Sequence, residues 1–168
     1  MIVSDISSVY SVRQLNEGDI PSVVALSSGN GLYYRYCPPF ASGESVRADM
    51  SALPPGRKLE DKHYLGYFKD GRMIAVLDLI EGYPNADTAF IGFFMVEACV
   101  QGAGVGSGMI GDLCRALRGC GFSAVRLGWV KGNPQAERFW HRNGFAETGE
   151  EYETERYTVV LAERRLGQ

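Results

Sequence analysis

Apolar and polar residues alternate from Tyr10 to Leu15, which predicts a first strand, and Asp19 ahead of Ile20-Pro21 predicts a capped helix through Ser27. Residues 29–40 keep neither period and read as a long connection crowded with Tyr33, Tyr34, Tyr36 and Phe40. A short helix from Gly43 to Leu53 follows, stopped by Pro54-Pro55-Gly56. Two further strands, His63 to Phe68 and Met73 to Ile80, flank Asp70-Gly71, a pair suited to the positive φ angles of a type I′ hairpin. Glu81 to Asp87 then connects to Thr88–Val96, a run apolar enough for burial on both faces. Val105, Met109, Ile110, Leu113 and Leu117 recur at helical spacing, and Ala124–Val130 is again a strand. Because a helix separates it from Thr88–Val96, the expected pairing of these two strands is parallel. Pro134–Asn143 reads as a helix that Gly144 ends, and Ala146–Glu153 with Arg156–Ala162 forms a last antiparallel pair.

Strand, glycine loop and helix start meet at Gln101-Gly102-Ala103-Gly104-Val105-Gly106. Lacking side chains, Gly104 and Gly106 let the backbone approach a phosphate and turn N–H groups toward it, while the helix start adds a favourable dipole. A nucleotide-triphosphatase loop is excluded, since no Gly-Lys-Ser or Gly-Lys-Thr occurs in the chain. A dinucleotide loop is excluded as well. Its third glycine would fall on Ser107, and residues 127–131, about 20 positions on, carry no carboxylate.

What remains, [Q/R]-x-x-G-x-[G/A], resembles the acyl-CoA pyrophosphate loop of the GNAT N-acetyltransferase superfamily. Downstream, Asn133-Pro-Gln-Ala136-Glu-Arg-Phe139-Trp140-His-Arg-Asn-Gly144-Phe145 is similar to the N-x-x-A-x-x-F-Y-x-x-x-G-F segment of that superfamily, with Trp140 in place of Tyr. The resemblance implies an α/β (α+β) fold: a mixed, mostly antiparallel sheet of six to seven strands flanked by helices. It further implies that Thr88–Val96 and Ala124–Val130 splay apart to admit the pantetheine arm of acetyl-CoA. Met95 and Val96 would offer main-chain groups to that arm. Gln101, Gly102, Ala103, Gly104, Val105, Gly106 and Ser107 would hold the phosphates, and Asn133, Phe139 and Trp140 would complete the cofactor site. Gln101 stands where many relatives carry Arg, so Arg115, Arg118, Lys131 and Arg142 are the candidates for the missing cation.

The implied reaction is transfer of an acetyl group to a primary amine of a small molecule or peptide, through a tetrahedral intermediate whose oxyanion a backbone N–H near Val96 would stabilise. An alkylammonium is only about 0.04% deprotonated at neutral pH, so a base or a water chain is expected. Asp78 is the first candidate, since it interrupts an apolar strand where an isolated carboxylate is costly. Glu81 and Asp87 read as turn residues, and His63 and His141 as solvent-facing. Trp140 rules out an acid from its own position, which leaves water or a phenol such as Tyr152 or Tyr157 to meet the departing thiolate. Asn133 doubles as a helix cap. Tyr33, Tyr34, Tyr36 and Tyr83 are the candidate walls of an acceptor pocket.

Composition narrows the partners. The 168 residues suit one domain, 1–168, and a net charge of −3 without a basic stretch excludes nucleic acid. Four cysteines without a C-x-x-C pair argue against a zinc site, so no metal is expected. With no signal-like start and no long apolar run, a cytoplasmic location away from membranes is expected. The resemblance admits a homodimer, which no residue pattern specifies. A noncatalytic acyl-CoA-binding sensor is the competing reading, with Trp140 as its support and Asp78 as the feature against it.

Overall fold

Positive φ at Asp70 (51°) and Gly71 (79°) forms the two-residue turn between β2 (Lys62–Lys69) and β3 (Arg72–Glu81). That backbone matches the right-handed twist of the flanking strands, and a short polar residue and a glycine tolerate it. β4 (Thr88–Val96) extends the antiparallel run on one side and β1 (Ser11–Gln14) on the other. The computed structural model, which describes residues 3–167, adds β5 (Ala124–Val130), β6 (Ala146–Glu153) and β7 (Thr158–Arg165). All seven join one sheet in the order β1-β2-β3-β4-β5-β7-β6, in which the β4–β5 pair is parallel.

Helices α1 (Ile20–Ser28), α2 (Gly31–Tyr36) and α3 (Gly43–Ser51) cover one face of the sheet. Their buried Val23, Leu26, Tyr34 and Val46 pack with Tyr64, Val76 and Met95. On the opposite face lie α4 (Val105–Gly119) and α5 (Pro134–Arg142), where Met109, Leu113, Leu117 and Trp140 meet Leu77, Ile91 and Leu127. Among the described residues no helix is long and apolar enough to cross a membrane.

Three sequence expectations change. Asp19 does not cap α1; its carboxylate accepts from the Asn16 N–H and pairs with Arg13, closing a short turn at Glu17–Asp19 instead. The connection at 29–40 contains α2, because Gly31 to Tyr36 can turn once with Tyr34 in the core. Thr88–Val96 is not buried on both faces throughout, since Gly92 is exposed and Phe93 and Phe94 are half-buried. The cause is topological. Asp78 pairs with Phe93 while Leu79 pairs with Ile91, so Gly92 is the extra residue of a β-bulge. The β4–β5 ladder ends one step earlier, at Ile91–Leu127.

Gly144 ends α5 at φ 81°, and a Cβ there would meet nothing closer than Arg164 Nε at 3.5 Å. Backbone strain, not crowding, therefore sets the effect of a side chain. Gly144→Ala is expected to destabilise the protein by about 1–2 kcal/mol in urea unfolding, and an unchanged midpoint would refute this account of the helix end.

Candidate active site

Beyond Ile91 and Leu127 the two central strands part, and a cavity of about 450 Å³ opens between them and the start of α4. Gly104 precedes that helix in the left-handed region (φ 79°), and the first turn closes through Gly108 N–H to Gly104 C=O at 2.9 Å. The N–H groups of Val105, Gly106 and Ser107 consequently have no acceptor within the helix. A Cβ on Gly102 or Gly104 would find no atom within 4 Å, so the loop faces open space. Gly106 is different: its Cβ would lie 3.2 Å from Phe139 and 3.3 Å from Val96, so packing keeps it bare.

Other loop residues brace this backbone. Gln101 Nε2 donates to Val96 C=O and to Asn30 Oδ1, both at 2.7 Å, and Asn30 Nδ2 donates to the same Val96 carbonyl at 3.3 Å. The Gln101 amide therefore fixes the loop to the end of β4 and is not directed at a phosphate, contrary to expectation. Ser107 Oγ accepts from Asn143 Nδ2 at 3.1 Å, tying α4 to the end of α5. Ala103 is exposed in the loop and is not among the residues that line the cavity.

Glu97 N–H bonds Ile74 C=O and Met95 stands opposite Val76, so antiparallel alternation turns the main-chain groups of Met95 toward β3. Met95, expected to offer them to a ligand, thus has them directed at β3, while its side chain is buried in the core under α1 to α3. Phe94 and Val96 face the gap. With the Val96 carbonyl occupied, its N–H is the group left to offer.

Asn133 is buried and caps α5, its Oδ1 accepting from Gln135 and Ala136 N–H at 3.2 Å. Asn133 is among the residues lining the cavity, and its Nδ2 has no hydrogen bond among the described residues. Phe139 stacks on Phe94 at 6.1 Å, and Trp140, 7% exposed, packs edge-on against Phe139 and Phe145. Trp140 is thus wall and core. Of the four candidate cations, Arg142 alone lines the cavity, whereas Arg115 pairs with Asp112 and Lys131 with Glu151. No carboxylate lines it.

Asp78 lies on the other side of Gly92, at the floor of a second chamber of about 270 Å³. Its Oδ1 accepts from Lys62 Nζ at 2.7 Å; Lys62 is 2% exposed, Asp78 13%. Lys62 escaped the sequence reading because a lysine at a strand start reads as solvated, and only the register, with Tyr64 opposite Asp78, brings the two side chains together diagonally. Burial holds the Asp78 carboxyl above the usual carboxylate range, with the Lys62 hydrogen bond and charge opposing and Asp49 adding to the rise. A Cβ on Gly92 would come 2.8 Å from Asp78 Oδ2, so only glycine fits against this carboxylate. A glycine inside an apolar strand is itself a bulge signal, which the sequence reading passed over.

The four predicted pocket tyrosines separate. Tyr33 lines the large cavity, edge-on to Phe93 at 5.8 Å. Tyr83 lines the chamber, edge-on to Phe90 at 5.5 Å. Tyr34 is core, stacked on Phe40, and Tyr36 borders neither space. Tyr157 lines the large cavity and accepts from the Cys37 thiol at 3.4 Å, a contact that with burial pushes its phenol up to about 12. Tyr152 is exposed on β6 and borders neither space. His63, expected in solvent, is half-buried with Nε2 2.7 Å from Glu81 Oε1, so Glu81, expected to solvate the turn, is held by His63 instead. Asp87 accepts from Ser123 Oγ at 2.6 Å and braces the connection before β4.

A family model described as the acetyltransferase (GNAT) family matches residues 31–145, more than half of the chain. The chain belongs to the GNAT family. Solved GNAT structures share its fold. An acetyltransferase from Thermus thermophilus superposes with a TM-score of 0.73 at 19% identity, covering 94% of this chain and 97% of its own. The ribosomal-protein-S18-alanine N-acetyltransferase of Escherichia coli gives 0.68 at 16% identity, with 95% of each chain covered. The PaiA N-acetyltransferase of Thermoplasma acidophilum, solved with coenzyme A, gives 0.67 at 17% identity, covering 93% and 98%. No curated protein matches in sequence. Family membership implies acyltransfer from an acyl-CoA, and the open glycine loop, the unpartnered N–H groups and Arg142 fit the phosphates of that donor.

Removing Lys62 would leave a buried carboxylate without its counter-charge. Lys62→Met is expected to cost about 3–5 kcal/mol, in so far as Asp78 stays ionised. With its folded pKa raised further, Asp78 keeps its contribution below the ordinary carboxylate range and loses it as pH rises. The deficit in urea unfolding should be larger at about pH 8 than at about pH 4.5; an equal deficit at both would contradict the pairing.

Proposed function

We propose that this GNAT chain is an acetyl-CoA-dependent N-acetyltransferase acting on a primary amine. One observation carries the reading: the largely buried carboxylate of Asp78 directs Oδ2 at Gly92, a residue that borders both its own chamber and the cavity reaching the start of α4. A domain that only sensed the donor would have no need of a base at that junction.

Val105, Gly106 and Ser107 N–H groups and Arg142 hold the phosphates; the Val96 N–H and Asn133 Nδ2 serve the arm and the acyl end. Acetyl-CoA supplies an activated acetyl group. Asp78 takes one proton from the bound ammonium, freeing the nitrogen lone pair to form the N–C bond. As the C–S bond breaks, the nitrogen gives up a second proton and the thiolate gains one, so the sum is amide, free thiol and one proton returned to solvent. Val96 N–H offsets the charge on the carbonyl oxygen. Tyr157, pushed up to about 12, lies about 3.5 pH units above a thiol near 8.5. Full transfer from it is therefore uphill, and it serves as a hydrogen-bond donor while water completes the proton transfer.

Acetyl-CoA at about 100 times its dissociation constant should stabilise the protein by roughly 2.7 kcal/mol in a melting scan, and thiol release should follow addition of an amine. Donor protection without turnover of any amine would instead identify a sensor. Asp78→Asn is expected to lower kcat/KM by about 10²–10⁴ with donor affinity intact. The acid limb of the pH profile, above the usual carboxylate range because Asp78 must be ionised to accept a proton, should vanish with it.

The donor site is tested separately. Gly104→Val combines left-handed strain with a side chain in the phosphate space and should abolish protection by CoA. Arg142→Gln should weaken CoA binding about tenfold, or ~1.4 kcal/mol, without changing the melting temperature of the free protein. Full CoA affinity in both folded variants would overturn the assignment of the phosphates to this loop.

A further inference from the structure

The chamber over Asp78 is chemically unlike the large cavity. Asp78 is its one charged lining residue, and Leu53, Pro54, Ile80, Tyr83 and Phe90 form most of the wall. Asp78 Oδ1 is engaged by Lys62, while Oδ2 has no hydrogen bond among the described residues and points at Gly92. Asp49 is close enough for its charge to act on Lys62 and Asp78 as well. Phe90 and Gly92 border both spaces, which makes the chamber an antechamber to the splayed strands.

We infer that the acceptor is a small primary amine bearing a compact apolar or aromatic group, with its ammonium on Asp78 Oδ2 and its substituent against Leu53, Pro54, Ile80 and the Tyr83–Phe90 pair. This rests on the N-acetyltransferase reading and narrows it. Size is compatible: an engineered cavity of about 150 Å³ holds benzene, so about 270 Å³ takes a ring with a short aminoalkyl arm. The edge-on rings of Tyr83 and Phe90 supply a surface suited to both the cation and its apolar neighbour. A polyamine would press a second ammonium against Leu53, Pro54 and Ile80 with no second carboxylate to receive it. A peptide amino terminus would bring its first amide into the same apolar wall, where Tyr83 Oη is the one side-chain hydroxyl.

Thiol release by the full chain with acetyl-CoA, measured for propylamine, phenethylamine, spermidine and an alanyl peptide, tests this. Phenethylamine should exceed propylamine in kcat/KM by at least tenfold, since each buried methylene adds about fourfold, and should exceed spermidine and the peptide by more. Leu53→Trp, which fills the chamber, should raise KM for phenethylamine at least tenfold while leaving acetyl-CoA affinity unchanged. Should that variant not fold, Ala52→Leu, at another lining residue, provides the same test. Preference for spermidine or the peptide, or an unchanged phenethylamine KM in both folded variants, would overturn the acceptor class and leave N-acetyl transfer standing. Donor binding with no turnover of any of the four amines would overturn both.

Discussion

The separation of β4 from β5 after Ile91 and Leu127 is the constraint on which the site depends. A parallel ladder that continued to Val96 and Val130 would consume the main-chain groups of Phe94 and Val96 and leave no cleft. Two glycines prevent it. Gly92 inserts an unmatched residue into β4 and turns the strand, while Gly128 lets β5 follow β7 so closely that a Cβ would lie 2.5 Å from Val159. Each central strand thereby keeps its outer partner and gives up its inner one. Backbone groups at a gap need partners, and the protein satisfies part of the need itself by directing Asn30 and Gln101 at the Val96 carbonyl.

The Lys62–Asp78 pair is the other costly feature, and its placement explains its value. Two ions removed from water do not by themselves stabilise a fold, because desolvation can exceed their attraction. Apolar residues of similar size at both positions would pack between β2 and β3 without that cost. What the pair provides is a carboxylate held at one rotamer, with one oxygen engaged and the other directed at the bulge. Lysine suits this task, since a compact ammonium can meet Oδ1 from a diagonal position on the neighbouring strand and still be covered by Tyr64, whose ring is 5.9 Å away.

Local chemistry made much of this legible in sequence and geometry at long range did not. Asp70-Gly71, the glycine loop, the cap at Asn133 and the terminator at Gly144 each depend on a few adjacent residues, and each is found where the pattern put it. The strand bounds Thr88–Val96 and Ala124–Val130 were readable for the same reason. The partner of Asp78 was not, because it depends on strand register 16 residues away. Gln101 looked like a weakened phosphate ligand; its use as a brace requires Asn30, which is 71 residues distant. Tyrosines in one crowded segment looked like one wall. A single helical turn at α2 instead sends Tyr34 into the core and Tyr33 to the cavity.

The two spaces that meet at Gly92 have opposite polarity. The larger is lined by Arg142 and no carboxylate, the smaller by Asp78 and no cation. A protein of net charge −3 can thereby receive a polyanion, because at physiological salt charges farther than about 8 Å are screened and the lining, not the total, sets the field. The same separation suits an amine. In the proposed reaction an ammonium entering the chamber meets Asp78 and gives up its proton there before the nitrogen advances toward the acyl end. That proposal makes deprotonation and approach to the splayed strands a single step at Gly92, where any side chain would collide with Asp78.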